Sequence, residues 1–444
     1  MINEIFSFFY IYLAKIFYKM KTKLLFLFLI IFQLGNSQQR TCGMDHHMET
    51  IMADPIRRAQ FLERQSLVRA EYEKIMAQQA NQGKLASPNV TLQIPVAVHY
   101  PEVATTASET VKNCLRNLAQ SQINVINADY NATNTDISNW TSDSAFYPGV
   151  NVGDLDVEFV IATQNHPAGS GLTNGQVAVT FGTAFLNGAD QDFSWSGYMN
   201  FVVRDIGNNL LGYSPLNGSP ASGHTVVMNT FCFGTTGNGC SGYMPQAPYN
   251  KGRTVTHELG HFFSLNHTFK SANPNSTNCA GPDADGIADT PKQAACTYGC
   301  SFAGSVDACV PGEKVLSMNY MDYSDDACMY MFTVGQKNAM QAYLNVISSQ
   351  FNQNVLSSEI AAVRSNFSVY PNPNKGTFNI ELKDLVENYS IEIFDNSGRI
   401  VFEKQYNQNN SLSQEITLDV ISSGVYFVTI KSDDVLTTKK IIIE

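Results

Sequence analysis

One twelve-residue stretch limits what this chain can become: Thr256-His257-Glu258-Leu259-Gly260-His261-Phe262-Phe263-Ser264-Leu265-Asn266-His267. On a helix, His257 and His261 project both imidazoles from one face, where two neighbouring nitrogens can share a metal ion. Glu258 lies beside them rather than among them. A carboxylate in that place reaches a zinc-bound water without being spent as a ligand, the arrangement a zinc hydrolase requires. His267 lies too far along to share the helical face. The helix must therefore end, and the chain turn sharply near Ser264, before a third nitrogen can arrive. A closed structural zinc site would carry a fourth cysteine or histidine and would have no use for Glu258.

The chain around this stretch is long enough for two or three domains, with 444 residues of which 44% are apolar. Its formal net charge of -11 and the lack of a long basic run exclude nucleic acid and anionic membrane surfaces as partners. Five of the nine cysteines fall between Cys279 and Cys328, which points to an oxidising compartment. The N-terminus agrees. Met20-Lys21-Thr22-Lys23, the apolar run Leu24 to Phe32 and the small residues Gly35-Asn36-Ser37 read as a signal peptide cleaved after Ser37. Residues 1–37 are thus an N-terminal extension plus signal, with translation expected to start at Met20. The apolar run is shorter than the about 20 residues that span a bilayer. A combined membrane anchor is interrupted by Lys15, Lys19, Lys21 and Lys23.

Residues 38–87 read as a pro-segment. Arg40-Thr41-Cys42-Gly43 opens it, and a charged amphipathic helix starting at Asp54-Pro55 continues to about Gln82 without material for a core of its own. Cys42 is either a zinc ligand occupying the position that water needs, or a disulfide partner; removing it leaves an even number of cysteines, which favours the ligand. From about Ser87 the texture changes. Strands are expected at Val90 to Tyr100, Leu155 to Ala162, Tyr198 to Val203 and Val226 to Asn229, with helices at Glu109 to Val125 and Thr333 to Ser348. His99, His166 and His224 are read as loop or strand residues rather than ligands. Asp283-Ala284-Asp285-Gly286-Ile287-Ala288-Asp289-Thr290-Pro291 gathers three carboxylates but fails as an EF-hand loop, since Gly281 and Lys292 fall where ligands belong. A calcium site of another design and a solvated acidic turn both remain open.

The three histidines with Glu258, the following Thr268-Phe269, the acidic turn Asp285 to Pro291, and Asn319-Tyr320-Met321-Asp322-Tyr323 resemble the metzincin metallopeptidases, and within them the pappalysin family. The resemblance covers residues 88–348. It implies an α/β (α+β) metzincin-like catalytic domain, with a long active-site helix beneath a cleft and zinc held by His257, His261 and His267. Met321 would form the methionine turn under the metal, and Tyr323 would be catalytic, stabilising the oxyanion. The same similarity implies calcium on Asp285, the Ala288 carbonyl and Thr290, a latency role for Cys42 with Arg40 and Gly43, and disulfides Cys279–Cys309 and Cys300–Cys328. Cys232–Cys240 and Cys114–Cys296 are then the simplest pairing of the rest. One departure is Ser264, where the metzincin pattern has glycine; serine adopts positive φ there at about 1 kcal/mol.

The chemistry expected is peptide-bond hydrolysis by a zinc-bound water, with Glu258 first taking the proton and then giving it to the leaving amine. Asp325 and Asp326 are either an acidic pocket that prefers Lys or Arg after the scissile bond, or solvated loop charges. Beyond a linker at residues 349–366, residues 367–444 read as a small all-β sandwich. Its Tyr370-Pro371-Asn372-Pro373 opening and Lys439-Lys440 ending resemble the C-terminal sorting domain of the type IX secretion system. The whole reads as a secreted or cell-surface zinc endopeptidase made as a zymogen. Zn2+ and Ca2+ are the expected cofactors, and protein or peptide substrates and the secretion machinery the expected partners. The alternative from another class is a surface adhesin with a vestigial metal site.

Overall fold

The computed structural model describes residues 40–81, 91–207, 210–356, 367–382, 389–395, 398–407, 411, 413–418, 421–432 and 435–444. The signal-peptide reading of residues 1–37 lies outside them. No helix among the described residues is long and apolar enough to cross a membrane.

Two helices open the described chain, α1 (Met44–Ala53) and α2 (Pro55–Asn81). Asp54 starts α2 as expected: its Oδ1 accepts the backbone N–H groups of Ile56 and Arg57 at 2.8 and 3.1 Å, two donors a helix start leaves unpaired. Most of α2 stays exposed. Its contacts run along Phe61, Arg64, Val68, Glu71 and Ile75, the alternating three-and-four spacing of one narrow helical stripe.

The larger folded region is built on β1 (Leu92–Tyr100), β2 (Val157–Ile161), β3 (Val179–Phe181), β4 (Met199–Val203), β5 (Gly212–Tyr213) and β6 (Thr225–Met228). Their order is β2-β1-β4-β6-β5, with β3 also pairing β1; all pairs are parallel except β5 with β6. The short antiparallel β5 is thus one edge of the sheet. Helix α3 (Glu109–Tyr130), capped by the Ser108 side chain on Val111 N, packs Leu115, Leu118, Ile123 and Ile126 into the core. Helix α4 (Arg253–Phe262) is buried at every residue, so it runs through the middle of the domain rather than across its surface. Strands β7 (Phe269–Ser271) and β8 (Gln293–Ala295) pair in parallel, and α5 (Val334–Ile347) closes the domain behind a Thr333/Gln336 capping box.

Three expectations need correction. Cys279–Cys309 and Cys300–Cys328 are bonded, but Cys114 pairs with Cys240, not with Cys296. Packing of α3 against the loop before α4 brings the Cys114 and Cys240 Cα atoms to 6.0 Å, within disulfide range. Cys232 is therefore a thiol rather than the partner of Cys240. It is buried in the core and donates to Leu211 O at 3.0 Å. Cys296 is also free, set among Phe269 and Tyr323 and donating to Ala272 O at 3.2 Å. The linker also starts later than residue 349: Phe351 and Val355 are buried, and Val355 O accepts Thr163 N at 2.9 Å.

The C-terminal region has its own core around Phe378, Ile380, Ile391, Ile393, Val428 and Ile441. Its strands are β9 (Phe367–Tyr370), β10 (Thr377–Leu382), β11 (Tyr389–Asp395), β12 (Ile400–Tyr406), β13 (Ser413–Thr417), β14 (Gly424–Ser432) and β15 (Val435–Ile443). They form two antiparallel sheets, β13-β10-β9 and β12-β11-β14-β15. This is the expected all-β sandwich.

Candidate active site

Helix α4 begins where Asp326 Oδ2 accepts Lys251 N at 2.9 Å and Arg253 N at 3.2 Å, a carboxylate against the positive end of the helix. It ends at Phe262. Ser264 then takes φ = 79°, the left-handed conformation the turn demands, and Leu265 N donates back to Gly260 O at 2.9 Å. That reversal carries His267 to the face from which His257 and His261 project. Gly260 has a packing role: a Cβ there would lie 2.5 Å from Met321 Sδ, so any larger residue would displace the Met321 side chain that packs against the helix.

The three Nε2 atoms form a triangle with sides of 3.2, 3.2 and 3.1 Å. Its centre lies about 1.8 Å from each corner, just inside the zinc–imidazole distance of about 2.0–2.1 Å, so a cation slightly off the plane reaches all three. Backbone carbonyls fix two of the three lone pairs. His257 Nδ1 donates to Tyr320 O and His261 Nδ1 to Leu265 O, both at 2.7 Å, which leaves the Nε2 atoms as acceptors. Burial, aided by neighbouring imidazoles, holds His257 and His267 well below the usual range, and burial brings His261 down to about 4. All three are therefore neutral, as a metal requires. The donor set fits zinc.

A fourth candidate ligand is Cys42, whose Sγ and the three imidazole nitrogens all lie within 4.8 Å of one another. The thiol donates to Glu258 Oε2 at 3.2 Å, and the Cys42 N–H donates to the Tyr323 hydroxyl at 3.3 Å. Burial raises Glu258 to about 8 and lifts the Cys42 thiol well above its ordinary value. Residues 41–43 reach this place by adding to the sheet: Leu211 N donates to Thr41 O at 3.1 Å and Gly43 N to Gly212 O at 2.9 Å, in parallel to β5. A Cβ on Gly43 would sit 3.0 Å from Tyr213 Cβ and 3.2 Å from the Leu210 methyls, so the pairing is close-packed at this point. Two residues earlier, Arg40 is buried. Its Nη2 meets Asp326 Oδ1 at 2.6 Å and its guanidinium lies 5.2 Å from the Tyr249 ring centroid.

Asp326 is thus a buried anchor and helix cap, not a solvated charge. The sequence marked Asp326 without its partner. It gave no sign of the buried group around Arg253, whose guanidinium grips Asp136 at 2.5 and 2.6 Å. In the acidic turn, Asp285 accepts the Thr290 hydroxyl and Ile287 N, and burial raises its carboxyl to about 7. Asp289 instead points away, accepting Thr333 Oγ1 and Gly335 N at the start of α5. His99, His166 and His224 lie outside the site, hydrogen-bonded to Thr180 and Asn200, to Gln176 O, and to Ser219 N.

Residues 189–345 match the family model of pregnancy-associated plasma protein-A. The region around the three histidines belongs to that peptidase family. Residues 368–444 match the secretion system C-terminal sorting domain. An extracellular metalloprotease of Arthroderma benhamiae is 39% identical over 152 residues, 33% of this chain and 49% of the relative. One of Verticillium alfalfae is 28% identical over 266 residues, 58% of this chain and 79% of the relative. The chain spans about half the length of the first of these relatives. Among solved structures, a mutant of Tannerella forsythia promirolysin is similar at 28% identity and a TM-score of 0.50, over 71% of this chain and 95% of that one.

Proposed function

We propose that this protein is a secreted zinc endopeptidase made as a zymogen, exported by its C-terminal sorting domain and held inactive by residues 40–43. The observation that carries this reading is the Cys42 thiol, set beside the three imidazole nitrogens and donating to the Glu258 carboxyl. A bound zinc would polarise the scissile carbonyl and make water acidic enough to attack near neutral pH. The rest falls to the chain. With Cys42 withdrawn, Glu258 takes a proton from the attacking water and passes it to the leaving amine as the carbon–nitrogen bond breaks. The Tyr323 hydroxyl, freed from the Cys42 N–H, donates to the oxygen on which negative charge develops. Arg40 leaving Asp326 opens a pocket floored by a carboxylate and walled by Tyr249, suited to a basic side chain. The half-buried Asp285 carboxylate, with the Thr290 hydroxyl against it, would be the charged ligand of a calcium site completed by the Ala288 carbonyl.

Hydrolysis of an unfolded protein by the processed form is the test. Activity should vanish with a zinc chelator and fall by several orders of magnitude in Glu258→Ala. Undiminished activity in that variant would sink the mechanism and leave the adhesin reading.

A further inference from the structure

Asp129, near the end of α3, belongs to none of the motifs, yet it joins the two elements that set the site. Its Oδ2 accepts the Thr256 hydroxyl at 2.7 Å, one residue before His257 on α4. Its Oδ1 accepts the Tyr320 hydroxyl at 2.8 Å, one residue before Met321. The carbonyl of that same Tyr320 holds His257 Nδ1 at 2.7 Å. The carboxylate is 2% exposed and cannot be replaced by water without opening the core. Arg253 supplies the counter-charge at 3.5 Å while its main grip is on Asp136. Next to Asp129 in sequence, Tyr130 donates to Thr256 O at 3.0 Å, so α3 grips α4 at two adjacent points.

We propose that Asp129 is a positioning residue: one carboxylate clasps the active-site helix to the methionine turn and so fixes the angle at which His257 meets the metal. Through Tyr320 it controls the carbonyl that selects the His257 tautomer. Through Thr256 it controls the rotation of α4. Partners that orient a metal-bound histidine are typically worth about 10- to 100-fold in metal affinity.

This inference rests on the zinc reading, so the readout is metal affinity rather than hydrolysis. Zinc dissociation constants would be measured by chelator competition on the full chain carrying Cys42→Ala and Glu258→Ala, so that only the imidazoles bind and nothing is digested. Asp129→Asn and Tyr320→Phe should each weaken zinc binding by about tenfold or more, and the double variant should be no worse than the weaker single, because both act on one clasp. Asp136→Asn is the control. It breaks the principal grip on Arg253 and lowers thermal stability, but it touches neither hydroxyl, and its zinc affinity should stay within about twofold of the parent.

Unchanged affinity in Tyr320→Phe, which loses only a hydroxyl, overturns the proposal even if Asp129→Asn does not fold. Equal losses in Asp136→Asn and Asp129→Asn overturn it too, since the effect would then be one of general stability. A parent that fails to bind zinc would overturn the metal reading itself, a result distinct from a parent that binds while its variants match it.

Discussion

Replacing Arg40 with methionine keeps an apolar stem of similar reach and deletes the guanidinium. The pair it breaks is buried on both sides, with 1% and 0% side-chain exposure. Removing one member of such a pair typically costs about 3–5 kcal/mol, because the other charge is left buried without its partner. Asp326 keeps the backbone N–H groups of Lys251 and Arg253, and water can enter behind the lost side chain, so the lower end, about 3 kcal/mol, applies here. At roughly 1.4 kcal/mol per decade, the population with residues 40–43 lifted from the cleft rises about 100-fold. The assay is hydrolysis of a fluorogenic peptide by freshly purified zymogen, alongside the rate at which the pro-segment is cut. Arg40→Met should shorten the lag by about two orders of magnitude, Arg40→Lys should fall between, and Cys42→Ala should also accelerate activation while leaving the Arg40 anchor in place. Because the pair is buried, ionic strength should change the lag little. Equal lags for Arg40→Met and the parent would refute the idea that this pair holds the segment down.

Other consequences follow from single residues. Ser264→Gly relieves a serine held at φ = 79° and should stabilise the catalytic domain by about 1 kcal/mol, raising its melting temperature by roughly 2–4 °C; no rise would mean the turn is not strained. His99 is buried, and burial lowers it from 6.5 to about 3, so the folded state resists its protonation. Its contribution is whole above about pH 6.5 and is lost as pH falls toward 3, amounting to roughly 3 kcal/mol between pH 6.5 and 4. Urea unfolding of His99→Gln should accordingly depend less on acid than the parent does, and parallel pH curves would count against this. Calcium should raise the melting temperature of the parent but not of Asp285→Asn; identical responses would remove Asp285 as a ligand.

Much of the site was legible because it is local. Two histidines on one helical turn, a glutamate beside the first, and a turn that must reverse at Ser264 all follow from the 3.6-residue period and from the reach of a few residues. The change of texture near residue 367 likewise announced a separate sandwich, since strands carry their own alternation. The start of α2 at Asp54-Pro55 was readable for the same reason: a cap and its helix are neighbours in the chain.

What the sequence by itself determined, then, was the set of candidate ligands with Glu258 beside them and the turn that assembles them. Tertiary structure alone decided which distant groups hold that set in place. The partner of Arg40 lies 286 residues away at Asp326, Asp129 reaches Tyr320 across 191, and Cys114 finds Cys240 across 126. No periodicity encodes such pairs. They arise where α3, the buried α4, the methionine turn and the edge of the sheet are packed together, and the low dielectric of that packing makes each lone carboxylate or guanidinium costly unless its partner is there.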